Sequence, residues 1–247
     1  MTNKVLITGA NKGIGFETAR QLAHQGWYVL LGVRNRQRGE AAIDKLKQEN
    51  ITSVELVDID LNDLSSIQSA AEYVKTHHPD LSAVINNAGI PGDMQKRPLD
   101  FEVDELRSVI DVNFYGNFAM IKAFAPILAS NKGKILNLTI PSIGFSTFRP
   151  FAYMASKAPL NSMIKSIGYD FKRNNVPVEV YGVMPGGVQT DLNGHMDGWM
   201  MHTLPEGGKT VAEALLDKHN HQGKILNRMG LSSLIKKNIL RKLNLSK

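Results

Sequence analysis

The sequence contains no cysteine among its 247 residues. Disulfide bonds, thiolate catalysis and cysteine-ligated metal sites are therefore excluded. It also lacks an uncharged apolar run long enough to cross a bilayer, a signal-peptide pattern in Met1-Thr-Asn-Lys-Val5, internal repeats, low-complexity segments and linkers. Its seven histidines show no metal-ligand spacing except His219-x-His221, which is more typical of a solvated helix end. These absences predict a single-domain cytoplasmic protein without a metal.

Short apolar runs alternate with helical stretches along most of the chain. Runs such as Val5-Leu-Ile7 suit parallel strands that are buried on both faces. The alternation predicts a doubly wound α/β (Rossmann) fold, in which ligands bind outside the carboxyl ends of the strands. We expect one domain over residues 1–230, with helices on both faces of a seven-stranded parallel sheet. The predicted strands lie near 4–8, 27–33, 53–57, 82–86, 133–139, 177–183 and 223–227.

A glycine-rich turn follows the first predicted strand and precedes a helix predicted from Phe16 to Gln25. Its sequence is Gly9-Ala-Asn-Lys-Gly13-Ile-Gly15. Gly9 permits a tight turn, Gly13 lets a pyrophosphate approach the backbone, and Gly15 allows close helix–strand packing. The helix N-terminus adds N–H groups and a positive dipole end. This context predicts a nucleotide phosphate site formed by Gly9, Asn11, Lys12, Gly13, Ile14 and Gly15; a glycine-rich loop without function is the alternative.

Tyr153 is followed four residues later by Lys157, in Tyr153-Met-Ala-Ser-Lys157. On a helix this spacing puts the phenol and the ammonium on one face. A phenol with its ordinary pKa of about 10 is a poor acid–base catalyst near neutrality. A neighbouring ammonium favours the phenolate and lowers that pKa, so the pair is suited to exchanging a proton with a substrate oxygen. The alternative is a surface tyrosine beside a solvated lysine.

Three further motifs lie at the ends of predicted strands or on the helix between them. They are Asn86-Asn-Ala-Gly89, Val112-Asn-Phe-Tyr-Gly116 and Pro185-Gly-Gly-Val-Gln-Thr190. Together with the glycine turn and the Tyr153–Lys157 pair, they resemble the short-chain dehydrogenase/reductase family over roughly residues 4 to 230. Thr8–Gly15 and Pro205–Lys209 look most like its carbonyl-reductase branch.

The resemblance implies hydride transfer between a nicotinamide cofactor and a carbonyl or alcohol carbon. It assigns proton transfer to Tyr153, pKa lowering and a ribose contact to Lys157, and a water-anchoring role to Asn113. It also implies further cofactor contacts, which fall on Asp58, Ile59, Asn87, Ala88, Gly89, Pro185, Gly186, Val188 and Thr190.

The family's catalytic serine is displaced in this chain. The run that the serine normally closes reads Asn137-Leu-Thr139-Ile140, so Ile140 stands in its place and Ser142 follows Pro141. We expect a local shift to bring Ser142 to the substrate oxygen, with Thr139 as the alternative. Alternatively, the third substrate contact is missing and Tyr153 alone holds the carbonyl. The altered serine position also leaves open that the protein is a catalytically weak NADP(H)-binding regulator or sensor.

The end of the second predicted strand indicates which cofactor is used. An acid there usually holds the ribose hydroxyls of NAD. Here the strand ends at Arg34 with no acid beside it, and Lys12 in the glycine turn reaches the same place. Two cations suit a ribose phosphate, so we predict NADP(H). The alternative is that Lys12, Arg34, Arg36 and Arg38 are ordinary solvated charges.

The sequence gives weaker signals for the substrate and for the oligomeric state. The segment 189–204 corresponds to the family's substrate lid. Apolar side chains in and near it predict a small apolar substrate: Met196, Trp199, Met200, Met201, Phe145, Phe148 and Phe151. The alternative is that these residues simply pack the lid onto the core. We expect a homodimer or homotetramer, since no insertion before Tyr153 blocks the helix faces that the family pairs.

The chain ends in a basic tail, residues 231–247. It holds five cations and no acid, whereas the whole chain has a net charge of +6. Leu231, Ile235, Ile239 and Leu243 form an apolar stripe at helical spacing. We expect the stripe to pack on the domain or a neighbouring subunit. Contact with an anionic membrane surface is the alternative, and nucleic acid is not expected because base-stacking residues are missing.

Overall fold

The computed structural model describes residues 2–141, 150–194 and 201–228. Nine strands are present in this part of the chain: β1 (Lys4–Thr8), β2 (Tyr28–Val33), β3 (Val54–Asp58), β4 (Leu81–Asn86), β5 (Lys134–Leu138), β6 (Glu179–Met184), β7 (Gly187–Val188), β8 (Met201–His202) and β9 (Ile225–Asn227). The helices are α1 (Gly13–His24), α2 (Arg36–Gln48), α3 (Leu64–His77), α4 (Val103–Ile110), α5 (Asn117–Ser130), α6 (Phe151–Arg173) and α7 (Leu204–Leu216).

Seven strands form one parallel sheet in the order β3-β2-β1-β4-β5-β6-β9. The chain winds outward from β1 to β3 and then returns, so that β4 lies on the other side of β1. This reversal is the switch point of a doubly wound fold, and it opens a crevice at the carboxyl ends of β1 and β4. The predicted Rossmann fold and its seven-stranded parallel sheet are confirmed.

Two hydrophobic cores cover the two faces of the sheet. Alternate residues of a strand point to opposite faces. In β1, Val5 and Ile7 join the core under α1, α2 and α7, whereas Leu6 joins the core under α3, α5 and α6. Both faces of the sheet are therefore buried, which explains why the strands are short, unbroken apolar runs in the sequence.

Two local features differ from the sequence-based expectation. Helix α1 begins at Gly13, three residues before the predicted Phe16, so the end of the glycine turn is itself the first turn of the helix. The short pair β7–β8 was not predicted. Its pairing of Gly187 with Met201 and of Val188 with His202 closes the base of the segment expected to be the lid.

Several predicted features fall outside the described residues: Ser142, Phe145, Phe148, Met196, Trp199, Met200 and the tail 231–247. In the ranges that are described, no helix is both long and apolar enough to cross a membrane.

Candidate active site

The glycine turn and the segment after β4 are held together by Thr8. Its hydroxyl oxygen accepts hydrogen bonds from the backbone N–H groups of Asn87 and Ala88, both at 3.0 Å. Asn87 Nδ2 in turn donates to the carbonyl oxygen of Thr8 at 2.8 Å. A Cβ at Gly15 would lie 2.4 Å from Asn87 Nδ2, so only glycine lets α1 approach this closely. Two predicted cofactor segments thus form one rigid unit.

The N-terminus of α1 opens onto free space. No side chain caps this helix, whereas α2, α3 and α7 are capped by Asn35, Asp63 and Thr203. A Cβ built on Gly13 would meet nothing within 4 Å, and Gly13 has φ +62°. The uncapped end can therefore receive an anion, which the helix dipole stabilises.

The cations predicted to bind a ribose phosphate have different surroundings. Arg34 is exposed at the end of β2, and no ion pair of its side chain is found among the described residues. Arg36 binds Asp58 at 2.8 Å, so the carboxylate predicted to contact adenine is already neutralised. Ile59 beside it is buried. Lys12 pairs with Asp191, with Nζ 2.7 Å from Oδ2.

Tyr153 and Lys157 lie on one face of α6. Lys157 Nζ is 5.7 Å from the centre of the Tyr153 ring. The lysine side chain is buried, and its ammonium donates a 3.0 Å hydrogen bond to the carbonyl oxygen of Leu138 at the end of β5. The Tyr153 side chain is half-buried. The lysine is therefore fixed by the sheet beneath it rather than solvated.

Burial changes the acidity of both groups. It raises the pKa of the Tyr153 phenol to about 12. It lowers the pKa of the Lys157 ammonium to about 8. We expected the ammonium to lower the pKa of the phenol, but in the protein alone the loss of hydration has the larger effect. Near neutral pH the phenol keeps its proton.

Asn113 links the helix that carries Tyr153 and Lys157 to the loop after β4. It lies in a π-helical turn, Asp111–Gly116, and is fully buried. Its side chain exchanges two 2.8 Å hydrogen bonds with the backbone of Ile90 and donates to Ser156 Oγ at 2.9 Å. Ser156 in turn donates to the Tyr153 carbonyl oxygen at 2.7 Å. Asn113 thereby joins the loop after β4 to the first turns of α6.

Gly89 keeps open the space between Asn113 and Lys157. A Cβ at this position would lie 2.9 Å from Asn113 Oδ1 and 3.8 Å from Lys157 Nζ. A larger residue would disturb the contacts of Asn113, so the glycine of the Asn86–Gly89 motif has a steric role here.

The Thr139 hydroxyl is hydrogen-bonded to a residue on α6. Its hydroxyl donates to Asn161 Oδ1 at 2.6 Å, and Asn161 Nδ2 donates to the Ile140 carbonyl oxygen at 2.9 Å. The hydroxyl proton of Thr139 is therefore already used in a hydrogen bond within the protein. Asn161 was not identified from the sequence, because its contact with Thr139 forms only in the folded protein.

The Pro185–Thr190 segment leaves β6 and enters β7. Pro185 is buried, and Gly186 has φ +92°. Val188 packs against the start of α7, where a Cβ at Gly207 would come within 2.8 Å of its side chain. Thr190 follows at the edge of the crevice, half-buried. Helix α7 thus supports this segment, which explains Gly207 of the Pro205–Lys209 motif. Gly208 instead allows close approach of α7 to α1, where a Cβ would lie 2.4 Å from the Glu17 side chain.

Phe151, the first residue of α6, has an aromatic neighbour. Its ring centre lies 5.7 Å from that of Phe101, in the segment that leads into α4. Lys96 Nζ lies 5.3 Å from the centre of the Phe101 ring. Of the aromatic residues predicted to line the substrate pocket, Phe151 is the one within the described ranges, and it packs on a neighbouring loop.

The His219–His221 pair is not the solvated helix end that we expected. His221 is buried, and its Nε2 lies 3.1 Å from Asp217 Oδ2. His219 Nδ1 lies 2.7 Å from Asp217 Oδ1, and Arg228 also contacts this carboxylate. The expectation was wrong for His221 because Asp217 gathers these groups around the end of α7. No group of three or more His, Asp or Glu that could hold a metal ion is found among residues 2–141, 150–194 and 201–228.

The burial of Lys157 predicts a pH-dependent stability. The shift of its pKa from 10.5 to about 8 corresponds to a cost of about 3 kcal/mol while the amine is protonated. Lys157→Met should therefore be more stable than the parent near pH 7, by up to that amount. Between about pH 8 and pH 10 the unfolded chain binds more protons than the folded one, so the parent gains stability and the difference shrinks.

Urea unfolding of both proteins across this pH range tests the expectation. Lys165→Met, at an exposed position of the same helix, is the control and should show no pH-dependent difference from the parent. A difference between Lys157→Met and the parent that stays constant from pH 7 to pH 10 would contradict a buried, titrating lysine.

Comparison with known proteins agrees with this geometry. The family model for short chain dehydrogenases matches residues 3–200. A short-chain dehydrogenase of Penicillium roqueforti, anuI, is 30% identical over 226 residues, covering 85% of this chain and 87% of that protein. The (+)-neomenthol dehydrogenase of Arabidopsis thaliana is 29% identical over 252 residues, covering 76% and 83%.

Solved structures share the fold. An NADPH-bound carbonyl reductase from chicken fatty liver superposes with a TM-score of 0.83 at 23% identity, covering 93% of this chain and 97% of that one. An alcohol dehydrogenase from the archaeon Thermococcus sibiricus, complexed with 5-hydroxy-NADP, gives 0.79 at 26% identity, covering 92% and 96%. Fold, motif order and family match all agree, and the chain belongs to the short-chain dehydrogenase/reductase family of oxidoreductases.

Proposed function

We propose that the protein is an NADP(H)-dependent oxidoreductase of carbonyl-reductase type, acting on a small apolar carbonyl or secondary alcohol in the cytoplasm. The observation that carries this proposal is the Tyr153–Lys157 pair, with a buried lysine held by Leu138 and a phenol that keeps its proton. A solvated surface pair would have neither property. Steady-state oxidation of NADPH against a panel of aldehydes, ketones and quinones tests the activity and identifies the substrate class.

The residues at the crevice fit a nicotinamide dinucleotide. The uncapped N-terminus of α1 and the open space at Gly13 suit its pyrophosphate. Residues Asn87 to Gly89 and Pro185 to Thr190 would border the nicotinamide half, and Asp58 and Ile59 the adenine. Lys157 would also hold the ribose hydroxyls. When bound, the cofactor supplies the hydride to the carbonyl carbon or accepts it from the alcohol.

The chain's own residues handle the proton. In the reductive direction, Tyr153 Oη donates its proton to the substrate oxygen, and the protonated phenol is the form that burial favours. Lys157 supplies positive charge that stabilises the phenolate left behind. Asn113 keeps the loop of Ile90 against α6 and would anchor a water leading from Lys157 to solvent.

Cofactor preference follows from Arg34. It is exposed at the end of β2 with no acid next to it in the sequence, and Asp58 at the end of the neighbouring β3 pairs with Arg36. The Arg34 guanidinium suits a ribose phosphate. NADPH should bind at least about tenfold tighter than NADH, a difference of about 1.4 kcal/mol. Arg34→Ala should remove much of this difference and leave the Kd for NADH nearly unchanged.

Fluorescence titration of the parent and the variant with both nucleotides measures this. Lys47→Ala, an exposed cation at the far end of α2, controls for the loss of one positive charge and should retain the preference. Equal affinities of the parent for NADPH and NADH would contradict the assignment.

The third catalytic contact is assigned to Ser142. Thr139 donates its proton to Asn161, so it is not free to polarise a carbonyl in this arrangement. Ser142→Ala should lower kcat by well over tenfold with an unchanged Kd for NADPH, because one hydrogen bond to the developing oxyanion is lost. Tyr153→Phe should be more severe, since it removes the proton itself.

Thr139→Val separates the two candidates. It should retain most of the parent's kcat; if instead it fails while Ser142→Ala is unaffected, the role belongs to Thr139. The presence of Ile140 at the family's serine position favours a second function, a cofactor-binding regulator with little turnover. Unchanged turnover in Tyr153→Phe, together with intact NADPH binding, would support that second function.

We propose that the protein forms a homodimer or homotetramer through its α5 face. Tyr115 and Phe118 are exposed, 55% and 46%, and lie three residues apart on one helical surface. Phe118→Glu should lower the mass measured by sedimentation equilibrium because it places a charge in an apolar contact. Leu99→Glu, at a 95% exposed position outside this face, should leave the mass unchanged, and equal masses for parent and Phe118→Glu would contradict the proposed interface.

A further inference from the structure

An ion pair joins the glycine turn to the segment that leaves the crevice on the opposite side. Lys12 Nζ lies 2.7 Å from Asp191 Oδ2, although the two residues are 179 positions apart in the sequence. Lys12 directly precedes α1. Asp191 opens a short 3₁₀ turn, Asp191–Asn193, immediately after Thr190. Neither side chain is buried, at 60% and 58% exposure.

The fold fixes the backbone near Asp191 independently of Lys12. Val188 pairs with His202 across β7 and β8, and the N–H of Gln189 donates to the His202 carbonyl oxygen at 3.1 Å. Val188 also packs on Gly207 at the start of α7. The acid is therefore held three residues from an anchored strand, whereas Lys12 has a long side chain that can turn. The carboxylate is brought to the lysine by the fold.

The two cations of the predicted phosphate site differ in whether they are already in an ion pair. Lys12 is neutralised by Asp191, and the first turn of α1 contains no acid of its own. Arg34 has no ion pair among the residues that the structure describes, and the nearby Arg36 binds Asp58 and Glu40. An anion arriving at this edge meets an available guanidinium but an ammonium whose charge is already offset.

We propose that Asp191 limits the preference for the phosphorylated cofactor by competing with its ribose phosphate for Lys12. This inference rests on the proposed function. If Lys12 turns to the phosphate, its bond to Asp191 is lost; if it stays between the two, the carboxylate repels the phosphate. In both cases the acid weakens binding of the phosphorylated nucleotide and has little effect on one without that phosphate.

The test separates the ribose phosphate from the other phosphates by using nucleotide fragments. Binding of 2′,5′-ADP, 5′-ADP and 5′-AMP is measured by calorimetry, together with NADPH and NADH, for the parent, Asp191→Asn, Lys12→Ala and the double variant. Asp191→Asn should tighten 2′,5′-ADP and NADPH by about two- to fivefold, the range that an exposed ion pair supports. The other three ligands should change by less than the measurement error.

Two comparisons make the assignment specific. In the Lys12→Ala background, Asp191→Asn should have no effect on 2′,5′-ADP, because the ammonium for which it competes is gone. Asp104→Asn removes one negative charge at an exposed ion pair with Arg107 on α4. It controls for net charge and should leave all Kd values unchanged.

Each contrary result has a distinct meaning. An unchanged Kd for 2′,5′-ADP in Asp191→Asn, or a gain that persists in the double variant, overturns the inference and leaves the proposed function intact. Equal tightening of 5′-ADP and 2′,5′-ADP shows that Lys12 serves the pyrophosphate, and it overturns the role in cofactor preference. A parent that binds neither NADPH nor NADH overturns the proposed function, and the inference with it.

Discussion

The arrangement of the site depends on one buried ammonium. The side chain of Lys157 extends from the second turn of α6 to the carbonyl oxygen of Leu138, at the end of β5. An ammonium without water is costly, and the protein reduces that cost with a single backbone acceptor and a pKa lowered to about 8. This contact fixes the ammonium beside the phenol, with Nζ 5.7 Å from the centre of the Tyr153 ring. The neighbouring residues serve largely to keep this position defined.

Close backbone approach is the second constraint. At the carboxyl ends of β1 and β4, the Thr8 hydroxyl and the Asn87 amide are hydrogen-bonded to the backbone. Gly9 and Gly15 pack so closely on the Asn87 segment that a Cβ at either position would crowd it. Polar groups in this cluster satisfy one another, so the crevice keeps its shape without a ligand. A second group of buried amides links β4, β5 and β6, since Asn86 donates to Asn137 and Asn137 to the Tyr181 carbonyl oxygen. Both groups hold the strand ends in register beside α6.

Local patterns predicted the fold well because its elements are encoded locally. The seven strands of the main sheet lie within two residues of their predicted bounds, since each is an apolar run between turn residues. The spacing of Tyr153 and Lys157 predicted a shared helical face for the same reason. The strands β7 and β8 were missed because two residues carry no periodicity.

Contacts between distant parts of the chain were not predictable. Nothing in the sequence near Lys12 indicates Asp191, and nothing near Thr139 indicates Asn161, because both pairs form only when the sheet assembles. His221 was misinterpreted for the same reason: its burial depends on Asp217 and on the packing of Tyr181, whose ring centre lies 5.6 Å away. The direction of the Tyr153 pKa shift also depended on burial, which the sequence shows only indirectly.

The β7–β8 pair has a consequence for how this protein can diverge. It brings the two ends of residues 189–200 to adjacent positions, so the segment leaves and rejoins the domain at almost the same point. Changing the length of a loop with adjoining ends costs little free energy. Insertions and deletions there would leave the sheet, α1 and α6 in place. This stretch is therefore where the chain can change its length most readily while Tyr153 and Lys157 keep their positions.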